Sequence, residues 1–121
     1  MSRTTFTPIT DFAELDLSPP LAKAIVRAQY TTPRPIQAET IAPALAGHDV
    51  LGLAQTGTGK TAAFAIPCIE HLLARNKKGP RVLVIGPTRE LVTQIDAEFR
   101  KLTAQTKIRT MTIYGGISEK P

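Results

Sequence analysis

The run Ala54-Gln55-Thr56-Gly57-Thr58-Gly59-Lys60-Thr61 gathers the residue types that hold a phosphate chain. Its glycines let the backbone curl until several N–H groups face one point, and a helix opening directly after it adds positive potential. Lys60 can then reach the outer phosphates of a triphosphate, and the Thr61 hydroxyl can hold Mg²⁺. Gly-x-Gly-Lys-Ser/Thr at this spacing arises by accident in fewer than about 1% of chains this long. The bland alternative is a Gly/Thr-rich turn carrying a solvated lysine. The general form of such a cradle begins with Gly, and this chain has Ala54 there.

A second chemistry rests on an amide. The side chain of Gln37 offers a carbonyl to the amino group of adenine and an NH₂ to its N7, the pairing used against adenine in DNA grooves. Guanine presents two acceptors at those positions, which leaves the amide oxygen unpaired at a cost of about 1 to 3 kcal/mol. Gln37 would therefore favour ATP over GTP. Phe12 could stack on the base, a contact worth about 1 to 3 kcal/mol in other nucleic-acid complexes. Plainer readings stand beside these: Gln37 as an exposed helix residue, and Phe12 as the apolar anchor of the N-terminal arm.

These groups need elements to position them. Three apolar runs of about five residues, Val50 to Ala54, Val82 to Gly86 and Thr110 to Tyr114, are bounded by Gly, Pro or charge and read as strands. Between them lie two segments with helical spacing. Lys60 to about Arg75 is apolar at Phe64, Ile69, Leu72 and Leu73 and carries Pro67, whose ring should kink it; Thr88 to about Leu102 sets Leu91, Val92, Ile95, Phe99 and Leu102 on one stripe. Alternating strands and helices with short links predict an α/β fold, a parallel sheet with crossover helices. Ahead of it, Ser18 caps a helix that Pro19 and Pro20 start and that runs to about Gln29, and Pro35 starts another that ends near Gly47. The Pro-rich joint between them is a turn.

Composition bounds the alternatives. A chain of 121 residues, 42% hydrophobic and 21% charged, has the balance of one soluble globular domain, which excludes disorder, collagen and a disulfide mini-protein. The longest uncharged stretch, Val50 to Gly59, is far shorter than the roughly 18 to 20 apolar residues of a membrane helix. Residues Met1 to Asp16 lack an apolar core and do not read as a secretory signal. The single cysteine, Cys68, cannot close an internal disulfide and fits a reducing, cytoplasmic setting; it reads as a small core residue. Residues 1–60 hold five Lys/Arg and five Asp/Glu, against ten and five in residues 61–121, so the net charge of +5 lies wholly in the second half. That half admits a polyanion such as nucleic acid.

Combined with its neighbours, the cradle carries a specific resemblance. Ala-x-Thr-Gly-x-Gly-Lys-Thr resembles the form found in superfamily-two helicases, and Pro87-Thr88-Arg89-Glu90-Leu91 looks like motif Ia of the DEAD-box RNA helicases. Phe12 with Tyr30-Thr31-Thr32-Pro33-Arg34-Pro35-Ile36-Gln37 looks like their Q motif, and Gly115-Gly116 is similar to their GG element. Between the two prolines the family most often has Thr, where this chain has Arg34: a bulky cation that would change the packing of the loop or add a phosphate contact.

The resemblance implies a P-loop NTPase fold of RecA type, incomplete here, preceded by a helical Q-motif layer. Residues 1–39 would form the arm and Q-motif region, and residues 40–121 the first part of the ATP-binding domain. It implies ATP and Mg²⁺ held by Phe12, Tyr30, Gln37 and residues 54–61. It also implies an RNA backbone gripped by Pro87, Thr88, Arg89, Glu90, Gly115 and Gly116 at the carboxyl edge of the sheet, by shape and not by base identity. Arg75, Lys77, Lys78 and Arg81 form the densest basic cluster, but they fall at the opposite edge and read as charge complementing a helix C-terminus and a solvated loop. His48 and His71 each stand alone, without a second ligand at metal spacing.

Hydrolysis also needs a carboxylate for Mg²⁺ and a group to orient water, and no acidic tetrad follows the cradle here. The parent is expected to be an ATP-dependent RNA helicase, and these 121 residues alone to be catalytically inactive and marginally folded. Two rival readings stand beside it: a P-loop enzyme of another class such as a small kinase, and a non-enzymatic nucleotide- or RNA-binding module.

Overall fold

The computed structural model describes residues 6–54, 59–75 and 77–115. A short 3₁₀ turn at Phe12–Glu14 precedes four helices: α1 (Pro19–Arg27), α2 (Pro35–Leu45), α3 (Lys60–Ala74) and α4 (Arg89–Thr103). Each begins where its sequence signal lies. Proline occupies the first position of α1 and α2, where a missing N–H costs nothing, and Thr88 caps α4 by accepting a hydrogen bond from the Leu91 N–H at 3.1 Å.

Ser18 departs from its expected role. Its side chain makes no cap bond to α1; its N–H and hydroxyl both donate to the Glu70 carboxylate, joining the start of α1 to the middle of α3. Ile9 N–H donates to the Ala38 carbonyl and lays the N-terminal arm along α2.

The core lies where the helices meet. Leu21 and Ile25 of α1, Ile41 of α2, Ile66 and Ile69 of α3 and Leu102 of α4 are almost wholly removed from water. Removing such side chains from water is the main favourable term holding the layer together. Arg81 closes the end of α3, donating to the Arg75 carbonyl at 2.6 Å and the Leu72 carbonyl at 3.1 Å. That satisfies acceptors the helix leaves open and puts positive charge at the negative end of its dipole, as expected for this basic cluster.

The three runs expected as strands differ from that expectation. Among the described residues four helices form and no strand pairing does, so the expected parallel sheet is not shown. The period-two pattern is nevertheless present in the exposures. Leu83 and Ile85 are each 85% exposed while Val82 and Val84 fall to 38% and 36%, and Leu51, Leu53, Met111 and Ile113 are open in the same way. A strand is defined by the ladder it makes with a neighbour, and no backbone bonds join these three runs to one another. Alternate residues of each run are less exposed than their neighbours.

Candidate nucleotide site and nucleic-acid edge

Gly59 turns the chain into α3 at φ +85°, a left-handed conformation that favours glycine. A Cβ there would lie 2.5 Å from Gln37 Nε2 and 2.9 Å from Arg34 Cδ. Gly59 and Gln37 are thus in contact across 22 residues of sequence. Gln37 Nε2 donates to the Gly59 carbonyl at 3.1 Å, and Gln37 Oε1 accepts from the Arg34 N–H at 3.0 Å. Gln37 is buried at 5% exposure, so the plain reading of an exposed helix residue is set aside. An amide has two acceptor and two donor positions, and these bonds use one of each. One lone pair and one N–H remain, which is the complement adenine requires.

An open cavity of about 1220 Å³ runs past these groups. Phe12, Tyr30, Gln37, Gly59, Lys60 and Thr61 all line it, so residues separated by up to 49 positions are brought to one surface. Lys60 is exposed at the first position of α3 and makes no ion pair among the described residues. Thr61 is half-buried beside it. Ala54 is half-buried at the entry to the loop, while Gln55, Thr56, Gly57 and Thr58 lie outside the described residues. Phe12 is 7% exposed and belongs to the core cluster, with its ring centroid 6.2 Å from that of Tyr30; it anchors the arm and forms a cavity wall at once. Lys101 Nζ sits 5.3 Å above the Tyr30 ring and pairs with Glu98 at 3.2 Å, tying this loop to α4.

The residues at hand fit a nucleotide with Mg²⁺. Only glycine suits position 59, where a Cβ would fill the space between loop and amide, and Lys60 and Thr61 follow it at a helix N-terminus. Thr61 would hold the ion through its hydroxyl. No cluster of three or more His, Cys, Asp or Glu suited to a metal occurs among the described residues.

At the second edge, Thr88, Arg89 and Glu90 are exposed on the first turn of α4, with Pro87 exposed before them. Arg89 Nη2 donates to the Gly115 carbonyl at 3.1 Å and its guanidinium lies 5.2 Å from the Tyr114 ring centroid. The Tyr114 hydroxyl is 2.8 Å from Thr93 Oγ1, a hydrogen bond that holds the phenol below its ordinary range. The start of α4 and the 114–115 segment are therefore one assembly, with Arg89 as its link; Gly116 lies outside the described residues. Sequence reasoning missed Tyr114 and Thr93, whose contact joins residues 21 apart. It also missed Gln94 and Glu98, which line the cavity from α4 at the four-residue spacing of one helix face.

Cys68 is half-buried, packs against the core as expected, and its thiol is pushed up by burial. His71 Nε2 lies 3.4 Å from the Ala44 carbonyl, and His48 meets the Phe6 ring edge-on. No described helix is long and apolar enough to cross a membrane.

Solved structures similar to this chain point to a class. An RNA helicase from Chaetomium thermophilum bound to ADP superposes at TM-score 0.87 and 36% identity over 97% of this chain and 30% of that one. A DEAD box protein from Methanococcus jannaschii gives 0.84 and 35% over 92% and 30%. The DEAD/DEAH box helicase family model matches residues 34–121, and the chain belongs to that family. It is 47% identical to the ATP-dependent RNA helicase SrmB of Escherichia coli K12 over 113 residues, 91% of this chain and 26% of that protein. It is 50% identical over 111 residues to DEAD-box ATP-dependent RNA helicase 28 of Oryza sativa subsp. japonica, covering 90% of this chain and 14% of that one. The chain thus spans about a quarter or less of the relatives it matches.

Proposed function

We propose that this chain supplies the ATP-reading part of an ATP-dependent RNA helicase. The observation that carries the proposal is the contact of the Gln37 amide with Gly59, which sets an adenine complement against the start of a phosphate-binding helix. Residues 1–39 form the arm and Q-motif region, and residues 40–121 begin the RecA-like domain. Gln37 pairs with adenine, Phe12 and Tyr30 wall the base, residues 54–59 bind the phosphates, Lys60 neutralises the outer ones and Thr61 holds Mg²⁺.

The α4 start and Gly115-Gly116 grip an RNA sugar-phosphate backbone without reading bases. Arg89 acts there by holding the two segments together as well as by charge. In the whole helicase, ATP and RNA together draw two lobes shut, a short duplex opens locally, and hydrolysis resets the machine. Membership of the DEAD/DEAH box family and the ADP-bound structural neighbour support this reading over a kinase or a passive binding module.

The test is competition between ATP and GTP for binding. An unpaired amide oxygen costs about 1 to 3 kcal/mol, so the protein should prefer ATP by roughly 5- to 150-fold. Gln37→Ala should erase that preference whatever it does to absolute affinity. Retention of the preference in Gln37→Ala contradicts the assignment.

A further inference from the structure

We infer that Arg34 is a second phosphate-contacting cation of the nucleotide site, so that this chain grips its nucleotide with a guanidinium as well as with Lys60. The inference rests on the nucleotide reading above and adds a residue to it.

The backbone of Arg34 is fixed from three directions. Pro33 and Pro35 lock the torsions on either side, and the residue before a proline is restricted to extended conformations; Arg34 sits there at φ −71° and ψ 158°. Its N–H is held by Gln37 Oε1, and its carbonyl accepts from the Ala38 N–H at 2.8 Å as α2 begins. A backbone so held fixes the direction of the Cα–Cβ bond, and the side chain runs from there along the start of α3. That direction leads to Gly59: Arg34 Cδ lies 2.9 Å from where a Cβ on Gly59 would be.

Gly59 is the N-cap of α3, and Arg34, Lys60 and Thr61 line the same cavity. Two cations and a helix N-terminus converge there, with Glu98, already paired with Lys101, as the acid among the described lining residues. An anion entering the cavity meets cationic side chains from both the start of α2 and the start of α3. A guanidinium is suited to the task because its planar fork meets two phosphate oxygens at once. Arg34 is exposed, so its contribution is screened by salt. It discriminates by phosphate, whereas Gln37 discriminates by base.

Binding of MgADP and of adenosine to the purified protein, at low and at moderate salt, tests this with Arg34→Thr, Arg34→Lys and Lys60→Ala. Arg34→Thr should weaken MgADP about tenfold, flatten the salt dependence and leave adenosine unchanged; Arg34→Lys should recover part of the loss. The Arg34 N–H and carbonyl both bond at the start of α2, and these main-chain bonds do not depend on the side chain substituted. A measurement on the unaltered protein guards against a misfolded variant: MgADP, but not adenosine, should slow modification of Arg34 by phenylglyoxal several-fold. Arg34→Thr binding MgADP as tightly as the unaltered protein, or more tightly, overturns the inference, as does equal modification with and without MgADP. If Lys60→Ala also leaves MgADP binding intact, the nucleotide reading itself fails and takes this inference with it.

Discussion

Gly59→Ala is expected to damage both the stability and the nucleotide affinity of this chain. A left-handed φ costs an L side chain about 1 to 2 kcal/mol, and position 59 sits at +85°. The new methyl also has nowhere to go. It would stand 2.5 Å from Gln37 Nε2 and 2.9 Å from Arg34 Cδ, so the buried amide has to swing away from the Gly59 carbonyl and lose its bond there. Loss of that bond adds about 1 kcal/mol, for a total of about 2 to 3 kcal/mol in urea unfolding. Because the displaced group is the adenine reader, MgADP affinity should fall by at least about tenfold. Gly79→Ala is the control. Gly79 has nearly the same φ, +86°, with open space around its Cβ position, so it should show only the backbone cost and bind nucleotide normally. Equal behaviour of the two variants would mean that the Gln37 contact has no bearing on binding.

Lys60→Ala should do the reverse, removing affinity while leaving the fold intact. Lys60 is exposed, opens α3 and makes no ion pair among the described residues, and Ala is the better helix former, so the midpoint of unfolding should hold or rise slightly. A hydrogen bond to a charged group is worth about 1.5 to 3 kcal/mol, which predicts a loss of roughly 10- to 150-fold for MgADP. Adenosine should bind equally to both proteins. A drop in stability with unchanged affinity would assign Lys60 to structure instead of to phosphate.

Local signals made the helices legible in advance. Pro19, Pro35 and Thr88 mark starts that the structure keeps, and the apolar stripe of α4 buries Ile95, Phe99 and Leu102 as its spacing requires. The helix end closed by Arg81 was legible for the same reason, since the basic cluster follows α3 directly. Contacts between distant residues were not. Nothing near Ser18 reveals that it bonds Glu70 instead of capping α1, because the partner is 52 residues away. The strand runs show the other limit. Their period-two pattern is a property of the segment, but a ladder needs a neighbour, and local alternation cannot supply one.

The site divides along the same line. Lys60, Thr61 and Gln37 were singled out by residue type and spacing, and all three line one cavity. What spacing could not give was the hydrogen bond from Gln37 to Gly59, or the link from Arg89 to Gly115 across 26 residues. Arg34 stood out as an unusual residue between two prolines that would alter the loop packing or add a phosphate contact, and its approach to Gly59 sets it beside the candidate site.

Backbone amide chemical shifts recorded during a titration with MgADP reach the centre of this account. Saturable shifts should appear at the N–H groups of Gly59, Lys60 and Thr61 and at the side-chain amide of Gln37, with Lys77, Lys78 and Arg81 unmoved. Shifts confined to that basic cluster, or none at the α3 start at saturating nucleotide, would contradict it.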